Sequence, residues 1–334
     1  MRGLHRASDR EPGITRRRAG RGFVYLDAKG ARVRDESTLT RIRALAIPPA
    51  YRDVWICADR LGHLQATGRD ARGRKQYRYH AAWQQRSDAK KYRRLLRFAE
   101  RLPALRACLR RDRHLQGLPR DKVLAIMVGV MMETSIRVGS IEYTRTNHTY
   151  GLTTLRARHV AFCKDGTAVF SFPGKSGQRR EAVLSDRRLV RLVRRCSRLP
   201  GPALFQYDDD GVYRRATSAQ FNGYLHEALG ERFSAKDFRT WMGTLTVIAC
   251  LAQTSLPTHG GERVRHAAIR SAVDVAAEEL GNTPAVCRKA YVCPEVLSGW
   301  EDGDLHRYVA AETVAQPRKL ERAAIRFLKH CLDA

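Results

Sequence analysis

The chain has 334 residues, more than one compact core usually carries, so two domains is the first expectation. Lys and Arg number 62 against 34 Asp and Glu, and a formal net charge of +28 calls for a polyanionic partner: a nucleic acid first, an anionic membrane surface as the rival. No apolar run approaches the ~20 residues needed to span a bilayer and no signal-peptide pattern opens the chain, so no spanning helix is expected and the cytoplasm is the expected location.

In chain order, residues 1–20 ("MRGLHRASDREPGITRRRAG") read as a disordered basic arm. From about 21 to 85 the pattern is strand-like and aromatic, with frequent turns: a small, mostly-β domain. "GFVYLDAKGARV" predicts a hairpin through Ala28–Gly30, and "DVWICADRLGHLQATGRD" two short strands around Leu61 and Gly62. In "GRKQYRYH", Gln76, Tyr77 and Tyr79 interleave with Lys75 and Arg78, so one strand face could carry aromatics and the other cations. An ordinary half-buried strand has the same pattern. In a protein this basic it also suits contacts to bases and phosphates.

From about residue 86 to 334 the pattern is mainly helical, so the chain as a whole reads as α+β. "SDAKKYRRLLRFAERLPALRACLRR" is a basic helix expected to break or kink at Pro103. "PRDKVLAIMVGVMMETSIRVGS" spaces Val123, Ile126, Met127, Val130 and Met131 as a buried helix that Gly139 can end. Arg137 then falls in its last turn, where a cation complements the dipole. A hairpin region follows from Val160 to Val183.

Inside that hairpin, "FPGKSGQRR" resembles the end of a Walker A loop. Such a loop needs glycine where Val169 stands, and a helix after the lysine where "QRREAVLS" reads as a strand. Lys175 is instead expected at a hairpin tip, and no nucleotide is expected. Further on, Ser234 and Asp237 form a capping box that opens a helix, with Lys236 and Arg239 in its first turn. Arg239 breaks the dipole preference there, which hints at a function. A helix stops at Gly281, and Thr283-Pro284 caps a short new one holding Tyr291. A basic helix closes the chain from about Thr313 to Leu332.

The eight cysteines are scattered, with no Cys-x-x-Cys pair and no histidine at zinc-ligand spacing. They read as small hydrophobes in a reducing compartment. There is no His-Glu-x-x-His, no Gly-x-Gly-x-x-Gly opening a helix, and no acidic cluster suited to magnesium. No cofactor or metal is expected.

Arg137, Lys175, Arg239, Asn282 and Tyr291 then make a set suited to metal-free transesterification of a phosphodiester. Guanidinium groups can donate paired hydrogen bonds to non-bridging oxygens and stabilise a pentacoordinate phosphorus. An amide can add another donor. Ionising a phenol of pKa near 10 at neutral pH costs about 4 kcal/mol, which adjacent cations reduce. A lysine can protonate the leaving alkoxide.

The motifs "RDARGRKQYRYH", "SIRVGSIEY", "NHTYGLTTLRARHV", "FPGKSG", "ALFQYDDDG", "SAKDFRTWMGT" and "LGNTPAVCRKAYV", in unbroken order over roughly residues 20 to 300, resemble the type IB DNA topoisomerases of the small bacterial and poxvirus kind. The resemblance implies a bilobed clamp on duplex DNA, acting as a monomer without ATP or metal. A 3′-phosphotyrosyl bond forms, the free strand rotates, and its 5′-hydroxyl reseals the nick. It implies Tyr291 as nucleophile, Arg137 and Arg239 as the phosphate clamp, and Lys175 as general acid. Gln76, Tyr77 and Tyr79 match a strand that contacts the major groove, and Tyr143 and Lys236 match further positions near the site.

Two positions depart from the pattern. Asn282 stands where the poxvirus-like pattern has histidine, as in bacterial relatives, which implies slower chemistry without an imidazole titration. Ser140 stands where the bacterial pattern usually has asparagine. The nearest alternative is a site-specific tyrosine recombinase, whose usual His-x-x-Arg box is Lys236-x-x-Arg239 here. A non-catalytic DNA-binding protein is the alternative from another class.

Overall fold

A computed structural model describes residues 3–174, 177–256 and 261–333. The chain divides into two compact units, Met1–Lys91 and Tyr92–Ala334. The first is a small β unit and the second is larger and mainly helical.

The first unit is a five-stranded antiparallel sheet in the order β2-β1-β3-β4-β5, built from β1 (Ile14–Ala19), β2 (Gly22–Leu26), β3 (Arg52–Ile56), β4 (Leu64–Arg69) and β5 (Lys75–Tyr79). Helix α1 (Glu36–Ala44), capped by the Asp35 carboxylate on Thr38 N–H at 2.8 Å, adds Ile42 to a core of Ile14, Val54, Ile56 and Ala66. The predicted hairpins are present: Leu26 bridges Arg32 across the Asp27–Gly30 turn, and β3 returns as β4.

The expected disordered arm is different. Residues 14–19 are β1, paired with β2 from Thr15↔Leu26 to Ala19↔Gly22 and with β3 at Ile14↔Ile56. Arginine-rich composition masks a strand because Arg16 spends its charge internally. Its guanidinium donates to the carbonyls of Ile47, Pro48 and Tyr51 at 3.2, 3.0 and 2.7 Å and lies 4.2 Å from the Phe23 ring centre. Upstream, His5 bridges Gly62, and Asp9 pairs with Lys75 and accepts from Thr67 at 3.0 Å.

The second unit begins within α2 (Ala81–Arg113), which continues through Pro103. The expected break is absent because Phe98, Ala99, Leu102 and Leu105, on both sides of the proline, are all buried in one core. Packing overrides the local penalty of one lost hydrogen bond. Helix α3 (Arg120–Thr134) is buried all round, so it runs through the centre of this unit. It ends at Ser135, whose left-handed φ of 54° closes it four residues before Gly139, and Arg137 lies beyond the helix.

Helix α4 (Ile141–Asn147) follows, then a sheet of β6 (Val160–Phe162), β7 (Ala168–Pro173) and β8 (Arg179–Leu184), in which β7 and β8 pair from Ala168↔Leu184 to Pro173↔Arg179. Lys175 lies outside the described residues. After α5 (Arg187–Ser197), the ribbon β9 (Gln206–Asp209) and β10 (Val212–Arg215), and α6 (Ser218–Leu229), come the elements that carry the site. These are α7 (Ala235–Ala252), α8 (Gly261–Leu280) and α9 (Pro284–Tyr291). Helices α10 (Pro294–Glu301), α11 (Asp304–Tyr308) and α12 (Pro317–Asp333) complete the unit. None of the described helices is long and apolar enough to cross a membrane.

Candidate active site

Helix α8 stops where expected. Gly281, at φ 57°, turns the chain so that its N–H reaches Glu278 O and the Asn282 N–H reaches Ala277 O, both at 2.9 Å. Thr283 then caps α9 through its hydroxyl on Val286 N–H at 3.4 Å, with Pro284 in the first turn. The two signals leave Asn282 on a two-helix corner and Tyr291 at the far end of α9.

Tyr291 is half-buried and its backbone is held from both sides. The Thr244 hydroxyl donates to Tyr291 O at 3.1 Å and accepts from Cys293 N–H at 3.2 Å, while the Tyr92 hydroxyl donates to Val292 O at 2.6 Å. Gly243 on α7 makes the approach possible: a Cβ there would meet Tyr291 O at 3.0 Å and Tyr291 Cβ at 3.1 Å.

Arg239 resolves its own dipole conflict. Its side chain leaves the N-terminus of α7 and places its charge between two helix C-termini, donating from Nη1 to Ser135 O at 2.6 Å and from Nη2 to Leu280 O at 2.7 Å. Only 5% exposed, it lies with its guanidinium carbon 5.2 Å from the Tyr291 ring centre. The start of α7 is set by Asp237, whose carboxylate accepts from Ser234 N–H at 2.8 Å.

Arg137 complements α8 rather than α3. Its Nη2 donates to Gly281 O at 3.0 Å and to Asn282 Oδ1 at 2.6 Å. Its backbone is held in turn, because Arg137 O accepts from Leu152 N–H at 2.8 Å. Burial, and then the positive charge of Arg239, push the Arg137 pKa down to about 10, so it remains a cation at neutral pH. Burial also lowers that of Arg239, with the Tyr291 phenol opposing.

Four of the five expected catalytic positions therefore converge from four elements. Two buried donors there have no partner among the described residues: Arg239 Nε and Asn282 Nδ2. A buried donor without an acceptor costs about 1–3 kcal/mol, and an oxyanion beside Tyr291 would satisfy both. The arrangement can hold a tetrahedral or pentacoordinate anion next to a phenol. Lys236 is exposed in the first turn of α7, and Tyr143 is 64% exposed on α4. Ser140 opens α4 without a side-chain capping bond.

In the first unit the pleat sorts β5 differently from the expectation. Lys75, Tyr77 and Tyr79 share the exposed face, with the two tyrosine rings 6.2 Å apart and 10° from parallel, and Lys75 Nζ lies 5.6 Å from the Tyr77 ring centre. Gln76 belongs to the other face with Arg78 and donates to Asp70 at 3.0 Å. Strand periodicity alone separates Gln76 from the tyrosines. Other contributors went unread in sequence: Gly243, Thr244, Tyr92 and Arg180 carry no local signal, since their partners lie far along the chain.

A family model described as the catalytic core of eukaryotic DNA topoisomerase I matches residues 80–299, and one described as the N-terminal domain of bacterial DNA topoisomerase IB matches residues 22–70. DNA topoisomerase 1B of Acanthamoeba polyphaga mimivirus is 33% identical over 296 residues, 87% of this chain and 88% of that protein. DNA topoisomerase 1B of Vaccinia virus (strain Copenhagen) is 24% identical over 269 residues, 79% of this chain and 80% of that protein.

Proposed function

Because this chain belongs to the type IB DNA topoisomerases, we propose that Tyr291 cuts and rejoins one strand of duplex DNA and so relaxes supercoils. The observation that carries this reading is the pair of unpartnered buried donors, Arg239 Nε and Asn282 Nδ2, among cations beside the phenol.

The Tyr291 oxygen, its proton released to solvent, attacks the backbone phosphorus, and the bond to the 5′-oxygen breaks. Arg137 and Arg239 stabilise the charge on the non-bridging oxygens, which is greatest in the pentacoordinate transition state. Asn282 Nδ2 donates to one of them. Lys175 gives its proton to the departing 5′-oxygen, a role that rests on its place in the sequence motif. The 3′-phosphotyrosyl ester keeps the bond energy, so the 5′-hydroxyl can attack back after the strand has rotated. This isomerisation needs no nucleotide, and the guanidinium groups supply the charge stabilisation that a metal otherwise would.

Tyr77 and Tyr79, beside Lys75, offer an aromatic and cationic face for DNA contact, with Gln76, Tyr143 and Lys236 as further contacts. The unit Met1–Lys91 serves DNA contact and Tyr92–Ala334 the chemistry, in a monomer working on duplex DNA in the cytoplasm, at a bacterial nucleoid.

The test is relaxation of a negatively supercoiled plasmid in EDTA without nucleotide, comparing the natural protein with Tyr291→Phe. Topoisomer ladders and a covalent protein–DNA adduct are expected from the natural protein alone. A plasmid left supercoiled by both, with mobility shifts still showing binding, would overturn the reading.

A further inference from the structure

The last carbonyls of an α-helix have no partner within it. At the end of α8 they are taken in succession by three arginines from three elements. Arg180 of β8 donates from Nη1 to Glu278 O at 3.0 Å and from Nη2 to Glu279 O; Arg239 takes Leu280 O at 2.7 Å; Arg137 takes Gly281 O at 3.0 Å. Arg180 Nη2 also reaches Thr134 O, the end of α3, at 3.3 Å.

Three guanidinium groups this close repel one another. Burial lowers the pKa of Arg180, and the charge of Arg239 lowers it further. The negative ends of two helix dipoles offset that repulsion. Arg137 and Arg239 have proposed work at the phosphate, but among the described residues every hydrogen bond of Arg180 goes to backbone. Its partners sit three residues before Arg137 on one side and four and three before Asn282 on the other. Its aliphatic stem also covers the turn, Cδ lying 3.5 Å from where a Gly281 Cβ would stand.

We propose that Arg180 is a positioning residue for strand cleavage: by tying the end of α3 to the end of α8, it sets the Arg137–Asn282 pair at the spacing that grips the scissile phosphate. The inference rests on the topoisomerase reading above. It acts on geometry, so it affects the chemical step rather than DNA binding. A fork is needed for this bridge, and an ammonium head cannot reproduce it.

The test is a double-mutant cycle on single-turnover cleavage of a nicked-product duplex, with Arg180→Met and Asn282→Ala alone and together. Affinity for uncleaved duplex is measured in a Tyr291→Phe background. Arg180→Met should slow cleavage between about tenfold and a hundredfold, the scale of an ångström-level misplacement. Its dissociation constant should stay within about twofold, a margin set by context dependence between variants. Once Asn282 is already alanine, removing Arg180 should cost less than about threefold, because the two act through one clamp.

Multiplying effects, or a loss that appears in DNA affinity alone, would overturn the proposal. Arg180→Lys is read in the same cycle, since it keeps the charge if the methionine variant fails to melt cooperatively, and cleavage restored to the natural rate by lysine would also overturn it. The natural protein and Tyr291→Phe serve as controls. If the natural protein forms no adduct, the topoisomerase reading fails with this one. If it does and the cycle is additive, only the role of Arg180 fails.

Discussion

Asn282 commits its oxygen to a neighbour and leaves its amide donor open for the proposed substrate contact. Its oxygen accepts from Arg137 at 2.6 Å, which fixes the amide so that Nδ2 is the donor left over. Removing that donor with Asn282→Ala should lower single-turnover cleavage by about 10²-fold, the usual cost of one preorganised oxyanion donor. Asn282→Asp keeps the acceptor for Arg137 but turns the donor into a negative charge facing phosphate, so it should be at least as damaging. A rate for Asn282→Asp near that of the natural protein would remove Nδ2 from the mechanism.

Arg137 makes the electrostatics of the same spot testable by pH. Its pKa is lowered in the fold from the ordinary guanidinium value to about 10, so from about pH 10 up to that ordinary value the folded state binds fewer protons than the unfolded state. The free protein therefore bears a charge penalty at neutral pH, and that penalty begins to lift as pH rises through about 10 and is gone only above the ordinary guanidinium value. A bound dianion reverses the balance, because it favours the charged guanidinium. Stabilisation by sulfate, measured as the rise in Tm of the natural protein over that of Arg137→Gln, should be present at pH 8 and should shrink as pH passes about 10. A difference that stays constant with pH would mean that Arg137 does not hold the anion.

Among elements, the junction of α7 with α9 decides where Tyr291, the proposed nucleophile, sits. Gly243→Ala puts a methyl 3.0 Å from Tyr291 O and 3.0 Å from Leu280 Cδ1, both on packed elements. Overpacking of this sort costs about 1–3 kcal/mol. The displaced α9 should lower cleavage by at least about tenfold, read in a single-turnover assay beside a melting curve. Thr244→Val keeps the shape but removes the bonds to Tyr291 O and Cys293 N–H, and should destabilise by about 1–3 kcal/mol in urea unfolding. An unchanged urea midpoint would show that water replaces both.

The helix caps here were legible because Thr283, Pro284 and Gly281 act on backbone within a few residues of themselves. The strand β1 was hidden because its Arg16 finds its carbonyl partners more than thirty residues away. Pro103 misled in the same way, since the core that keeps α2 continuous is assembled from the rest of the unit.

For the whole molecule, the net charge of +28 dominates behaviour toward any polyanion. If six or more phosphates are neutralised, affinity for duplex DNA should fall by about 10³-fold or more between 50 and 200 mM salt. Tyr291→Phe should show the same slope, because its hydroxyl carries no counterion-releasing charge. A flat salt response, measured by fluorescence anisotropy, would contradict a phosphate-tracking interface. The eight free cysteines are buried or half-buried, and burial pushes Cys287, next to the site on α9, up to about 11.

The sequence by itself determined the strongly positive charge, the order of about half the described helices, the corner at Asn282 and which residues to propose for the site. Those properties depend on composition or on interactions between near neighbours, which a linear pattern records. Tertiary structure alone decided that Arg239 and Arg137 lie on the C-terminal carbonyls of other helices, that Arg180 joins them, and that Gly243 and Thr244 hold the backbone of Tyr291. A guanidinium fork is satisfied by whichever carbonyls the fold leaves open. Which carbonyls those are follows from how the helices end against one another, not from the residues beside the arginine.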